Sequence, residues 1–202
     1  GGEVLDDMPL KLMLTNPSHT RVRIIQDAVN RRFPQESGQR DPTGKGASDS
    51  MIELNVPPSM RNDTEDFVQL VKHTTLRQAN AESVALSTQR ALLSNTNNAS
   101  SAYWRWCAIG ERALPLIREL YDDPEVTPRL AALRAGSFLR DPLVGEHLRT
   151  MGVEGNLGER LEAADLMKTL PEDPRTDRAL WTMIDDEDVE VRLRAYEALA
   201  ER

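Results

Sequence analysis

One recurring motif restricts this chain more than any other feature. The stretches "PRLAALRAGSFL" (128–139), "ERLEAADLMKTL" (159–170) and "VRLRAYEALA" (191–200) each contain Arg-Leu-x-Ala. Their arginines, Arg129, Arg160 and Arg192, stand 31 and 32 residues apart. Another helical run precedes each of them: "ALPLIRELYDD", "DPLVGEHLRTM" and "DPRTDRALWTMIDD". Two helices per period cannot bury their apolar stripes alone, so neighbouring units must cover one another. The spacing predicts an all-helical half over residues 102–202. Arg129, Arg160 and Arg192 are expected to act within the stack, pairing with acidic turns and helix ends, and not to form a binding site.

The first part follows a different period. Leu10, Leu12 and Leu14 alternate with Lys11, Met13 and Thr15, as in a half-buried strand. Asn16-Pro17 stops the run. Asn16 or Ser18 is expected to cap a helix with Pro17 at its first position, and Val22, Ile25, Val29 and Phe33 mark its buried stripe up to Pro34. Residues 35–50, "QESGQRDPTGKGASDS", read as a mobile loop or insertion. Ile52, Leu54 and Val56 predict a second strand ending at Pro57-Pro58. A second helix follows, with Asn62 and Glu65 at capping-box spacing and Phe67, Leu70 and Val71 on its apolar face. The order strand, helix, strand, helix implies a small α+β layer with one sheet face under both helices.

Residues 77–101 predict a helix with a weak face (Val84, Thr88, Ala91, Leu92) and then a linker or turn, "SNTNNASS". The expected fold is mostly α with a small α+β part. Its divisions are a module over 1–76, a helix and linker over 77–101, and helical repeats over 102–202.

Charge and residue types exclude several chemistries. The net charge is -8, and residues 101–202 carry 21 acids against 14 bases while residues 1–100 are nearly balanced at 12 and 11. Such a surface opposes phosphate backbones, so no nucleic-acid partner is expected. Cys107 is the one cysteine, which removes any intrachain disulfide framework and any multi-cysteine zinc site. His19, His73 and His147 lack metal-ligand spacing. "GQRDPTGKG" fails as a phosphate loop: five residues separate Gly38 from Gly44-Lys45, and Gly46 stands where Ser or Thr would meet magnesium. The acidic runs "YDDPE" and "DDEDVE" lack a calcium-loop pattern and suit helix N-termini. Trp104, Cys107 and Ala108 are expected on one packed helical face. Cofactor, metal and small-molecule substrate are all expected to be absent. The start at Gly1-Gly2 and the uncapped apolar stripe before Arg202 are expected to lie inside a longer protein.

Two resemblances add to this reading. The stretches "DDPEVTPRLAALRA" and "DDEDVEVRLRAYEALA" resemble HEAT-type repeats, in which an acidic turn leads into the second helix of each pair. That implies an α-solenoid. The segment "PLKLMLTNPSHTRVRIIQDAVNRRF…IELNVPP…FVQLV", within residues 3–76, is similar to part of the bacterial flagellar P-ring protein family. The likeness lies in the strand ending at Asn16-Pro17, the helix closing on Ala28-Val29-Asn30, the strand ending at Val56-Pro57, and the helix from Phe67 to Val71. The resemblance implies a non-enzymatic structural protein of the periplasm or outer-membrane-associated envelope. Its partners would be flagellar rod or ring components, or further copies of itself. The chain departs from the family by turning into helical repeats after residue 101.

Two alternatives stand beside this one. The first is a general protein–protein interaction module of the envelope without a flagellar role. The second is a repeat-containing enzyme resembling the helical lyases that attach cofactors, which would need a groove with a reactive cysteine or histidine. Cys107 and His147 are the residues whose loss would test it.

Overall fold

Leucines on alternate positions draw Leu10–Met13 into strand β1 in the computed structural model, which describes residues 10–77 and 80–202. Residues 1–9 of the predicted module and 78–79 of the predicted helix-and-linker segment lie outside the described residues. The chain divides into two compact units after Ala81.

The first unit contains β1, helix α1 (His19–Arg32), strand β2 (Gly44–Gly46), strand β3 (Met51–Leu54) and helix α2 (Thr64–His73). The sheet is antiparallel with order β1-β3-β2, Leu10 opposite Leu54 and Leu12 opposite Ile52. Val22, Ala28, Val29, Phe33, Ile52, Leu54, Phe67, Leu70 and Val71 make its core. The rings of Phe33 and Phe67 meet edge to face at 5.2 Å, joining the end of α1 to α2.

Residues 35–50 are not a plain loop. They contain β2, whose Gly44 and Gly46 stand opposite Leu54 and Ile52. "GKG" has no apolar alternation, so its strand is invisible to a periodicity argument. Its glycines serve approach: a Cβ on Gly46 would sit 2.9 Å from Val22 Cγ1, and one on Gly44 3.3 Å from Val29 Cγ1. Only bare backbone lets α1 lie so close.

Helix starts also differ in detail. Ser18 is the N-cap of α1 and accepts from the Arg21 amide at 3.4 Å, so Pro17 lies outside the helix. The Asn62–Glu65 box does not form. Pro57-Pro58 opens a 3-10 turn over Pro58–Asp63 that absorbs Asn62, and α2 begins one residue after Asp63, which makes no side-chain cap bond. Strand β3 ends at Leu54, two residues short of Val56.

The second unit holds α3 (Ala81–Ser94, from its second residue), α4 (Ala99–Ile109), α5 (Leu114–Arg118), α6 (Val126–Phe138), α7 (Val144–Glu154), α8 (Leu157–Lys168), α9 (Pro174–Met183) and α10 (Val189–Ala200). Helix α6 packs on α4, α5 and α7; α7 on α8 and α9; and α10 on α8 and α9. The alanine of each Arg-Leu-x-Ala motif, Ala132, Ala163 and Ala195, is fully buried. A small side chain there lets neighbouring helices approach.

The chain is thus mostly helical with a small three-stranded antiparallel sheet. Of the two readings of "SNTNNASS", linker or turn, the structure has the turn, a corner inside the helical unit. Asn95 accepts from the Asn97 amide at 3.0 Å to cap a 3-10 turn, and α4 starts at Ala99. The buried face of α3 is Ala81, Ala85, Thr88, Gln89 and Leu92, leaving Ala91 exposed. In α4 the deep aromatic is Trp106, whose Nε1 donates to the Ala85 carbonyl at 3.3 Å, with Cys107 and Ala108 buried beside it. Trp104 is half-buried and stacks edge to face with Tyr103 and Phe138. No helix among the described residues is long and apolar enough to cross a membrane.

Candidate functional site

The polar chemistry of the helical unit is concentrated at the junctions between helix pairs. Arg129, at the head of α6, donates to the Asp123 carbonyl in the turn before it and to Glu159 at the head of α8. Arg160, at the head of α8, repeats the arrangement. It donates to the Gly155 carbonyl at 3.1 Å and holds Asp186, before α10, with Nε 2.9 Å from Oδ2 but off the N–H direction, and Nη2 3.2 Å from Oδ1. Arg192, at the head of α10, donates to the Asp186 and Glu187 carbonyls at 2.8 and 3.1 Å. All three arginines therefore fasten a helix start to the turn before it, and the first two also reach the next pair.

Burial works against the Glu159 carboxylate, but hydrogen bonds from Arg129 and from the Asn156 amide outweigh it and hold its pKa below the usual value. Asn156 and Glu159 form a reciprocal capping box on α8. One carboxylate thus serves its own helix start and the preceding repeat.

A second ladder joins the first helices of each pair. Arg118 of α5 grips Asp141 through Nε and Nη2 at 2.9 and 2.8 Å, and Tyr121 donates its hydroxyl to the same carboxylate at 2.8 Å. Arg149 of α7 lies 3.6 Å from Asp173, and its Nη1 reaches the Thr176 hydroxyl at 3.4 Å. Asp141 is buried, which opposes its ionisation, yet the bonds from Arg118, Tyr121 and the Leu143 amide keep its pKa below the usual value. Burial, then the bond to Asp141, pushes the Tyr121 phenol far up. The Tyr121 hydroxyl needs bare backbone on α6, since a Cβ on Gly136 would stand 1.9 Å from it.

This ladder was present in the sequence as two Asp-Pro pairs, Asp141-Pro142 and Asp173-Pro174, each following an arginine (Arg118, Arg149) by a similar interval. A third set links α6, α8 and α10 along their exposed sides. Arg134 meets Glu162 and Asp165 meets Arg194, equivalent positions with the charges exchanged.

A groove of about 500 Å³ opens between these junctions, lined among others by Tyr121, Asp122, Arg129, His147, Thr150 and Glu159. His147 Nδ1 lies 2.8 Å from the exposed Asp122 carboxylate, and its ring packs on Tyr121 at 5.1 Å. An aspartate-oriented histidine is half of a general-base arrangement. Thr150 is the aliphatic hydroxyl on the lining, and Cys107 is buried in α4, off this groove. Among the described residues no group of three His, Cys, Asp or Glu side chains is placed to hold a metal ion.

No family model, no curated protein and no solved structure matches the chain.

Proposed function

We propose that this protein is a non-enzymatic assembly protein that presents surfaces to other proteins. The observation that carries the proposal is where the buried charge goes. The carboxylates held below their usual pKa by arginine across a junction, Asp141 and Glu159, are both fully engaged in joining one helix pair to the next. Groups so engaged are rigid supports, and what they support is an extended set of exposed helix faces. In this reading the helical unit is a HEAT-like α-solenoid, and its partners are proteins. The β1–α1–β3–α2 resemblance to the flagellar P-ring family supports a place in the bacterial envelope, in the periplasm or at the outer membrane, with rod or ring components as neighbours.

Fractionation tests this setting. Basal bodies purified from the host, probed with an antibody to this chain, should be enriched in it relative to the bulk periplasmic and outer-membrane fractions. Its presence elsewhere in the envelope, with none on basal bodies, would replace the flagellar role by the general interaction module. The helical unit, which has no counterpart in the P-ring resemblance, favours that second reading.

A further inference from the structure

The first unit holds a pocket of about 430 Å³, lined by the segment after α1 and by the turn before α2. Its size falls in the range of small-molecule sites. Arg40 comes from the segment and Arg61 from the turn, and Leu54, Val56 and Pro58 are among the apolar lining. Hydrogen bonds fix both walls. Glu36 accepts from the Ser59 amide at 3.0 Å and from the Ser59 hydroxyl, which ties the segment to the turn. Gln39 accepts from the Glu36 amide at 3.0 Å and donates to the Thr43 hydroxyl at 3.2 Å. Asn55, just after β3, donates to the Pro42 carbonyl at 2.9 Å. The pocket is therefore formed in advance, and a ligand need not order its walls.

Its charges say what fits. Arg40 and Arg61 are exposed, and neither guanidinium has a hydrogen-bond or ion-pair partner among the described residues. The nearby carboxylates are committed elsewhere. Asp41, also on the lining, pairs with Lys45 at 3.0 Å. Glu36 serves Ser59, whose hydroxyl and amide hold its pKa below the usual value. In the helical unit Arg118, Arg129 and Arg160 each meet a carboxylate, whereas here two arginines share one pocket and meet none. The apolar lining decides what the anion carries. Leu54 is buried, and Val56 and Pro58 are half-buried. A bare phosphate would leave that surface unused. A carboxylate on a hydrocarbon stem uses both the guanidinium groups and the apolar wall.

We propose that this pocket binds an organic carboxylate, with the anionic group held by Arg40 and Arg61 and the hydrocarbon part on Leu54, Val56 and Pro58. The inference is independent of the envelope setting. The carboxylate has two sources, a free organic acid or an acidic side chain of a protein partner.

Heteronuclear NMR titration of the isotopically labelled whole chain tests it. The probes are hexanoate, its neutral counterpart hexanamide, and a blocked pentapeptide with one glutamate between leucines. Hexanoate is expected to shift the amide resonances of Gly38, Arg40, Asn55 and Arg61 with a Kd of about 1 mM, and hexanamide to leave them in place. Hexanoate binding assigns the pocket to a free organic acid. Peptide binding without hexanoate binding assigns it to a protein partner's acidic side chain, and either result sustains the proposal. Arg40→Gln and Arg61→Gln should each weaken binding about tenfold. Both variants should keep the remaining resonances in place, since neither side chain is bonded to the fold. Absence of shifts with hexanoate and peptide up to about 20 mM, well above that Kd, would overturn the proposal. So would equal shifts with hexanamide, variants that bind like wild type, or shifts with inorganic phosphate alone. Residues 1–9 include Glu3, Asp6 and Asp7. Binding that arises only after Asp6→Asn and Asp7→Asn would also overturn it, by giving the pocket to the chain's own acids.

Discussion

The two units solve the same problem, how to join neighbouring elements, with different polar groups. In the first unit the links from α1 to β2 are neutral and run from side chain to backbone. Asn30 of α1 accepts from the Gly44 amide at 2.6 Å and donates to the Gly44 carbonyl at 2.9 Å, and Gln26 accepts from the Gly46 amide at 2.8 Å. Asn55 donates to the Pro42 carbonyl at 2.9 Å. In the second unit the main links are ionic and run between side chains, as in Arg118–Asp141 and Arg129–Glu159. The cause is backbone accounting. An edge strand such as β2 leaves amides and carbonyls that need partners, so α1 supplies them. Helices satisfy their own backbone apart from their ends, so their side chains are available to bridge between pairs and to close those ends.

The largest expected effect lies in the ionic unit. Asp141→Ala should destabilise it by about 3–5 kcal/mol, because it strands a buried tyrosine hydroxyl and an arginine together. Loss should show in tryptophan fluorescence, since Trp104, Trp106 and Trp181 all lie in that unit. A loss under 1 kcal/mol would mean that the junctions are held by apolar packing alone.

Asn30→Ala should cost the first unit about 2 kcal/mol, since both backbone groups of buried Gly44 lose their partner. Hydrogen exchange read by mass spectrometry should place the increase in residues 26–54 and leave 114–202 unchanged. Spread of the effect into both units would break the contrast drawn between them.

Acid should weaken the ionic junctions without mutation. Asp141 and Glu159 have folded pKa values below their ordinary 3.8 and 4.5. Their stabilisation is therefore complete above those values and disappears as pH falls through the depressed ones. Denaturant midpoints followed by tryptophan fluorescence should hold steady from pH 7 to about pH 5 and fall below about pH 4. A midpoint rising on acidification would contradict the ladder.

The smallest change is expected at the exposed rung. Arg134 and Glu162 pair on the surface, so Arg134→Ala should cost less than about 1 kcal/mol, and 0.5 M salt should remove most of the difference. A larger, salt-insensitive loss would place this rung with the buried junctions.

The sequence by itself determined the local periods. Alternating leucines made β1, the 31- and 32-residue spacing of Arg129, Arg160 and Arg192 marked three equivalent helix starts, and every predicted helical run of the second half is a helix. Such patterns are legible because the side chains that carry them lie on one element, a few residues apart. Tertiary structure decided the rest. Strand β2 exists because β3 and α1 hold "GKG" between them, and glycine carries no side-chain signal of that. Trp106 displaced Trp104 from the core because α3 offers the Ala85 carbonyl to one indole and not the other. The partners of Arg118 and Arg129 lie 23 and 30 residues onward, across turns whose geometry no local period describes. Ion pairs at that range are selected by packing: the apolar faces fix which helices meet, and only then does a charge find its neighbour.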